Sequence, residues 1–298
     1  MAIATTIVLN GSSGSAGNAR PAIESALAHQ GFNARVELVD GPSVRATAQR
    51  AAADGHTLVA AGGDGTVSSV ASVAIAKGLT FGIIPLGTLN HFARDAGIPT
   101  DVDAAVRVLA QGHTVALDVG AMNGRTFLNN ASLGIYARSV RERREQWRSG
   151  HGKWTAFAIA VARAWLDYRP ISVNLWIDGK GLVRRTPFVF IGNGEYQGEG
   201  IDVGRRSSLD AMCSGHLSIY VAPDTGRLGL LALSLRILTG MVTEDVTLES
   251  FTAERVVVET ALRRPAAALD GELIPTSAPI EFVVVREALS LLIPGARP

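Results

Sequence analysis

The stretch Ala61-Gly62-Gly63-Asp64-Gly65-Thr66 constrains this chain more than any other. It lies between an apolar run, Thr57–Ala61, and Val67–Lys77, which carries Ala and Val at helical spacing. Glycines at a strand-to-helix junction let the backbone bend sharply and bring its N–H groups against phosphate oxygens, backed by the helix N-terminus. A carboxylate beside phosphates is repelled unless it holds a divalent cation or takes a proton from an attacking hydroxyl. The bland reading is a tight turn capped by Asp64.

The surroundings repeat the same grammar. Ile3–Leu9, Ala34–Val39, Thr57–Ala61 and Phe81–Ile84 are short apolar runs flanked by Gly, Asn or Pro, as buried parallel strands require. Between them Ala16–Gln30, Ser43–Ala53 and Val67–Lys77 predict helices, followed by Asp101–Gln111 with Thr100 as its N-cap. This βαβα order predicts a parallel sheet covered by helices, with ligands at the C-terminal ends of its strands. Two more polar turns fall at those ends: Asn10-Gly11-Ser12-Ser13-Gly14, and Gly87-Thr88-Leu89-Asn90 after Pro85. Three such turns on one edge describe a phosphate-lined nucleotide site.

Beyond Asp118–Gly120 the pattern changes. Arg138–Arg148, Lys153–Asp167 and Leu228–Met241 predict helices. Ile171–Asp178, Val183–Ile191, His216–Val221, Val246–Phe251, Arg255–Glu259 and Ile280–Val285 predict strands, mostly without helices between them. That succession points to an antiparallel, sandwich-like sheet pair. The expected fold is therefore an α/β nucleotide-binding domain over residues 1–118 and a β-rich substrate domain over 119–298, with a cleft between them. The last dozen residues are free to return to the first domain.

Composition narrows the function classes. With 47% hydrophobic residues the 298-residue chain can bury sizeable cores. Its 28 basic and 27 acidic side chains sum to +1, which excludes a uniformly basic nucleic-acid coat. The lone Cys213 makes no internal disulfide, and no Cys/His cluster offers zinc ligands. The N-terminus lacks a basic region before its apolar run, and the apolar runs Thr155–Leu166 and Leu228–Leu238 are broken by Arg163 and Arg236. Both are shorter than the ~20 residues that cross a bilayer. The expectation is a cytoplasmic protein that meets at most the inner membrane face.

A dinucleotide loop fits poorly. Gly63-Asp64-Gly65-Thr66-Val67-Ser68 half-matches G-x-G-x-x-G, but no acidic residue follows before Asp95, where one is expected ~20 positions on. Neither a G-x-x-x-x-G-K-[ST] loop nor a G-x-S-x-G elbow occurs.

The Gly-Gly-Asp-Gly-Thr loop, Pro85-Leu86-Gly87-Thr88-Leu89-Asn90 and the late Leu269-Asp270-Gly271-Glu272 together resemble the diacylglycerol kinase catalytic-domain family, which includes bacterial lipid kinases and sphingosine kinases. Phe127-Leu128-Asn129-Asn130 and Gly192-Asn193-Gly194 extend the resemblance through the second half. It implies an ATP-dependent kinase acting on a lipid hydroxyl, of the diacylglycerol or sphingoid type, at a membrane surface. It implies ATP across Asn10, Ser12, Gly62, Gly63, Asp64, Gly65, Thr66, Gly87, Thr88 and Asn90, with Mg²⁺ reaching Asp64 through the nucleotide. It implies catalytic roles for Glu272, Asp64 and Asp270. In bacterial members the residue matching Glu272 is the proposed base, whereas in sphingosine kinases the base matches Asp64. Taken alone, Asp270-Gly271 is a hairpin turn followed by an exposed Glu.

The chain also departs from the family. Ser68 and Ser69 stand where Asn-Glu is usual, His91 replaces an Asp, and Gly11 replaces a Pro. The loop that holds a structural Mg²⁺ in bacterial members reads Cys213-Ser214-Gly215-His216, with Ser214 in place of its Asp, so that ion is expected to be lost or weakened. Alternatives are a kinase for a soluble hydroxyl such as that of NAD, and a nucleotide-binding regulator with weakened catalysis. The Arg-rich stretch Arg138–Arg148 reads as a solvated ion-paired helix or, with Trp147 and Trp154, as a face for anionic lipid. No nucleic-acid partner is expected, and a homodimer is left open.

Overall fold

The computed structural model describes residues 4–12, 19–134, 168–196, 209–227, 229 and 248–295. The chain divides into two compact units, the first made of Met1–Val119, Arg206–Ser214 and Val285–Pro298, the second of Gly120–Arg205 and Gly215–Val284.

In the first unit β1 (Thr5–Asn10), α1 (Ala19–His29), β2 (Arg35–Val39), α2 (Val44–Ala53), β3 (Thr57–Gly62), α3 (Asp64–Lys77) and β4 (Phe81–Pro85) alternate. The short α4 (His91–Asp95), α5 (Val102–Gln111) and the first part of β5 (His113–Met122) follow. The strands lie in the order β2-β1-β3-β4, and every pair is parallel. Ile7, Val8 and Leu9 are all fully buried, because helices cover both faces and leave no polar alternation. On one face Ile7, Leu9, Val59 and Ile84 pack with Ile23 and Leu27 of α1 and Val106 and Leu109 of α5.

Two boundaries differ from expectation. Asp101, not Thr100, caps α5: its backbone is extended and its carboxylate accepts the Ala104 N–H at 2.9 Å. Helix α3 begins at Asp64 rather than Val67, with Gly63 as an extended N-cap that offers no side-chain bond. Asp64 is therefore a first-turn residue and not the cap of that turn.

The second unit is antiparallel. Its strands are β6 (Arg125–Phe127), β7 (Asn130–Gly134), β8 (Ile171–Ile177), β9 (Lys180–Thr186), β10 (Phe188–Asn193), β11 (Leu217–Val221), β12 (Glu249–Ala253), β13 (Arg255–Thr260), β14 (Ala267–Leu269), β15 (Glu272–Ile274) and the first part of β16 (Ile280–Ile293). One sheet runs β12-β11-β10-β7-β14-β15, and the other contains β16-β13-β8-β9. Leu133, Val189, Ile191 and Ile219 from the first meet Val173, Leu175, Val256 and Phe282 from the second in a shared core. The α/β and β-rich antiparallel expectation is borne out.

The expected single strand Val183–Ile191 is two strands in different sheets. Pro187 lacks the N–H a ladder needs, and the buried Thr186 hydroxyl lies 2.7 Å from the carbonyls of both Phe188 and Ala222, filling the break. The helices expected over Arg138–Arg148, Lys153–Asp167 and Leu228–Met241 lie outside the described residues, Gly229 excepted, as do Trp147 and Trp154. No described helix is long and apolar enough to cross a membrane.

Candidate active site

The three polar turns at the C-terminal edge of the parallel sheet touch one another. The Asn10 side-chain amide at the end of β1 donates to the Thr66 hydroxyl in α3 at 2.9 Å, and its carbonyl oxygen accepts the Ser12 N–H at 3.0 Å. Thr66 is buried and packs so tightly on Gly62 that a Cβ there would lie 2.6 Å from its hydroxyl oxygen. The third turn closes on the second: a Cβ on Gly87 would stand 2.6 Å from the Gly63 Cα and 2.7 Å from Asn90 Oδ1. Glycine is required at 62 and 87 by close approach.

Asn90 shapes the third turn. It sits in the left-handed region at φ 50° and is buried. Its Oδ1 accepts the Gly87 N–H at 3.0 Å while its Nδ2 donates to the Gly87 carbonyl at 2.8 Å, a closed ring that shapes the turn. Thr88, Leu89 and Ser12 are left exposed on the same edge.

Asp64 stands at the head of α3. The N–H groups of Thr66 and Val67 both reach the Gly63 carbonyl, at 2.9 and 3.0 Å. Those of Asp64 and Gly65 have no carbonyl four residues back within the helix, which leaves the donor end of α3 available to an anion. Asp64 Oδ1 is a buried oxygen with no hydrogen-bond partner among the described residues. An orphaned carboxylate oxygen beside an anion-binding helix end suits a hard divalent cation, for which oxygen is the preferred ligand. Ser68 and Ser69 lie half-buried in the following turn.

In the second unit three separated segments form one block. Asp270 and Gly271, at φ 45° and 77°, make the two-residue turn between β14 and β15. The Asp270 carboxylate accepts the N–H groups of Leu128 at 2.9 Å, Asn129 at 2.8 Å and Asn130 at 3.2 Å. The Asn129 carbonyl accepts the Asn193 N–H at 2.9 Å and the Tyr196 hydroxyl at 2.6 Å, and the Asn193 side-chain amide donates to the Leu128 carbonyl at 3.1 Å. Glu272 follows on β15 and is exposed. Sequence reasoning picked out 127–130 and 192–194 as motifs but missed Tyr196. A signal was present in Gly192, where a Cβ would lie 2.1 Å from the Tyr196 ring.

Ser214 ends the 3₁₀ turn Asp210–Cys213 ahead of Gly215 at φ 72°. Burial pushes the Cys213 thiol pKa up, and the nearby carboxylates of Asp118 and Asp210 push it the same way. Among the described residues no group of three or more His, Cys, Asp or Glu side chains is arranged to hold a metal.

Residues 4–122 match the model of the diacylglycerol kinase catalytic domain, and residues 130–293 match that of the YegS C-terminal NAD kinase beta sandwich-like domain. The chain is 32% identical over 154 residues to a Klebsiella pneumoniae protein named "Probable lipid kinase YegS-like", covering 50% of this chain and 52% of that one. It is 45% identical over 84 residues to a Staphylococcus carnosus protein named "Diacylglycerol kinase", covering 27% of each. These alignments span about half the relative's length or less. The fold is similar to a crystal structure of a diacylglycerol kinase from Bacillus anthracis, with a TM-score of 0.71, 18% identity and coverage of 98% and 97%. The chain belongs to the family that joins a diacylglycerol kinase catalytic domain to a YegS-type C-terminal beta sandwich.

Proposed function

We propose that this chain is an ATP-dependent kinase that transfers the γ-phosphate to the hydroxyl of a lipid of the diacylglycerol or sphingoid class. One observation carries the reading: the buried Asp64 oxygen, without a hydrogen-bond partner among the described residues, at the donor end of α3, where the turns after β1, β3 and β4 meet. An unsatisfied buried acceptor costs about 1–3 kcal/mol, a cost that a bound cation would relieve.

In this reading the first unit holds the nucleotide. The free N–H groups at the head of α3 and the Gly62-Gly63 backbone receive phosphate oxygens, and Asn10 and Asn90 keep the flanking turns in place. Asp64 is the residue that would hold Mg²⁺, which when bound supplies neutralisation of the phosphate charge. The second unit contributes Glu272, which accepts the proton of the acceptor hydroxyl as it attacks. Asp64 is the competing candidate for that proton. A lipid acceptor requires the protein to work at a membrane surface, which makes it a peripheral enzyme of the inner face.

A second reading, a soluble hydroxyl such as that of NAD, is favoured by the description of the matching C-terminal domain as NAD kinase beta sandwich-like. The serines at 68 and 69 favour a third, a nucleotide-binding regulator. Incubating the purified protein with labelled ATP, Mg²⁺ and either NAD or lipids in mixed micelles separates them. Label in a lipid supports the proposal, label in NAD supports the second reading, and nucleotide binding without transfer supports the regulator.

A further inference from the structure

We infer that Asp270 is a positioning residue: its carboxylate locks the Leu128–Asn130 peptide to the β14–β15 turn and so fixes the place from which Glu272 acts. The inference rests on Glu272 being the proton acceptor proposed above.

Turn geometry alone does not require a carboxylate. Asn-Gly and Asp-Gly serve equally in a two-residue turn with both residues at positive φ. What Asp adds is an acceptor for three successive N–H groups: Oδ2 takes Leu128, and Oδ1 takes Asn129 and Asn130. Three converging amides form a concavity suited to an anion, and bonds to an ionised acceptor are the stronger kind. Here the chain fills that concavity with its own side chain. The Asp270 N–H returns a bond to the Asn130 carbonyl at 2.8 Å, so the two segments are tied in both directions.

The tied peptide is also held from its other side. Asn193 and Tyr196 engage the carbonyls of Leu128 and Asn129. Glu272 pairs with Leu269 across the turn and lies two residues from the anchor. With its oxygens aimed at amides, the Asp270 carboxylate serves to hold the turn and not to exchange a proton with substrate. Its effect on turnover passes through Glu272.

Asp270→Asn keeps the turn but sets an amide N–H against one of the three donors. The expected result is a kcat lower by ~10²-fold, the scale of a misplaced catalytic group, with the ATP Kd unchanged. In a Glu272→Gln background the same substitution should lower kcat less than twofold further, because the group it positions is already lost. Losses that multiply would overturn the inference, as would normal kcat in Asp270→Asn. A silent Glu272→Gln would instead overturn the proton-acceptor reading. Hydrogen exchange needs no turnover: amides 128–130 should exchange at least ~10-fold faster in both Asp270→Asn and Asp270→Glu, while those of the Asp64 loop keep their rate. Unchanged exchange at 128–130 would refute the lock itself.

Discussion

The Asn10 side-chain amide and the Thr66 hydroxyl are joined at 2.9 Å, tying the end of β1 to the first turn of α3 across 56 residues of chain. This bond gives the glycine turn a fixed neighbour on the side away from β4. It ties Thr66 to the edge where the three polar turns meet.

Thr66→Val keeps the buried shape but removes the acceptor of the Asn10 amide. A net hydrogen bond contributes about 1 kcal/mol, so chemical denaturation should show a loss near that size. ATP should bind several-fold more weakly, because Asn10 is then free to move. Calorimetric titration of the nucleotide checks this, and an unchanged Kd would show that the bond is structural only.

Gly87→Ala places a methyl 2.6 Å from the Gly63 Cα, which is backbone and cannot swing aside. Overpacking of this kind costs about 1–3 kcal/mol. The expected outcome is a lowered Tm together with loss of ATP binding, since the two turns must separate. By contrast Gly65→Ala, at an exposed position, should leave Tm nearly unaltered.

Tyr168 gives a pH signature. Burial first, and then its hydrogen bond to Asp224, push its pKa up to about 12 from an ordinary 10.0. The folded state therefore holds the phenol proton more tightly than the unfolded chain does. That stabilisation is fully present below pH 10 and is lost as the pH rises toward 12. Wild-type Tm should fall more steeply over that range than that of Tyr168→Phe; parallel curves would show that the pair contributes nothing.

Much of the first unit was legible because its signals are local. Apolar runs bounded by Gly, Asn and Pro mark β1 to β4, and the strand ends locate the three polar turns. Failures arose where a tertiary partner decides. The three acceptor bonds of Asp270 reach 140 or more residues away, so no window of sequence contains both ends. The contact of Asn90 is equally hidden, because its left-handed backbone turns its amide onto Gly87. Strand β5, His113–Met122, was missed because its buried half follows an exposed first part, masking any alternation. The break at Pro187 was readable in principle, since proline cannot donate to a ladder.

The most direct test compares Glu272→Gln with Asp64→Asn for kcat and for ATP Kd, each with far-UV dichroism to confirm folding. Glu272→Gln retains size and hydrogen bonding but cannot take a proton, so kcat should drop by ~10²–10⁴-fold with ATP affinity intact. Asp64→Asn should abolish turnover in a folded protein and weaken binding of Mg²⁺-ATP, because the proposed role of its buried oxygen is to hold that Mg²⁺. A silent Glu272→Gln beside a dead Asp64→Asn would move the base to Asp64. Near-normal turnover in both would contradict the account.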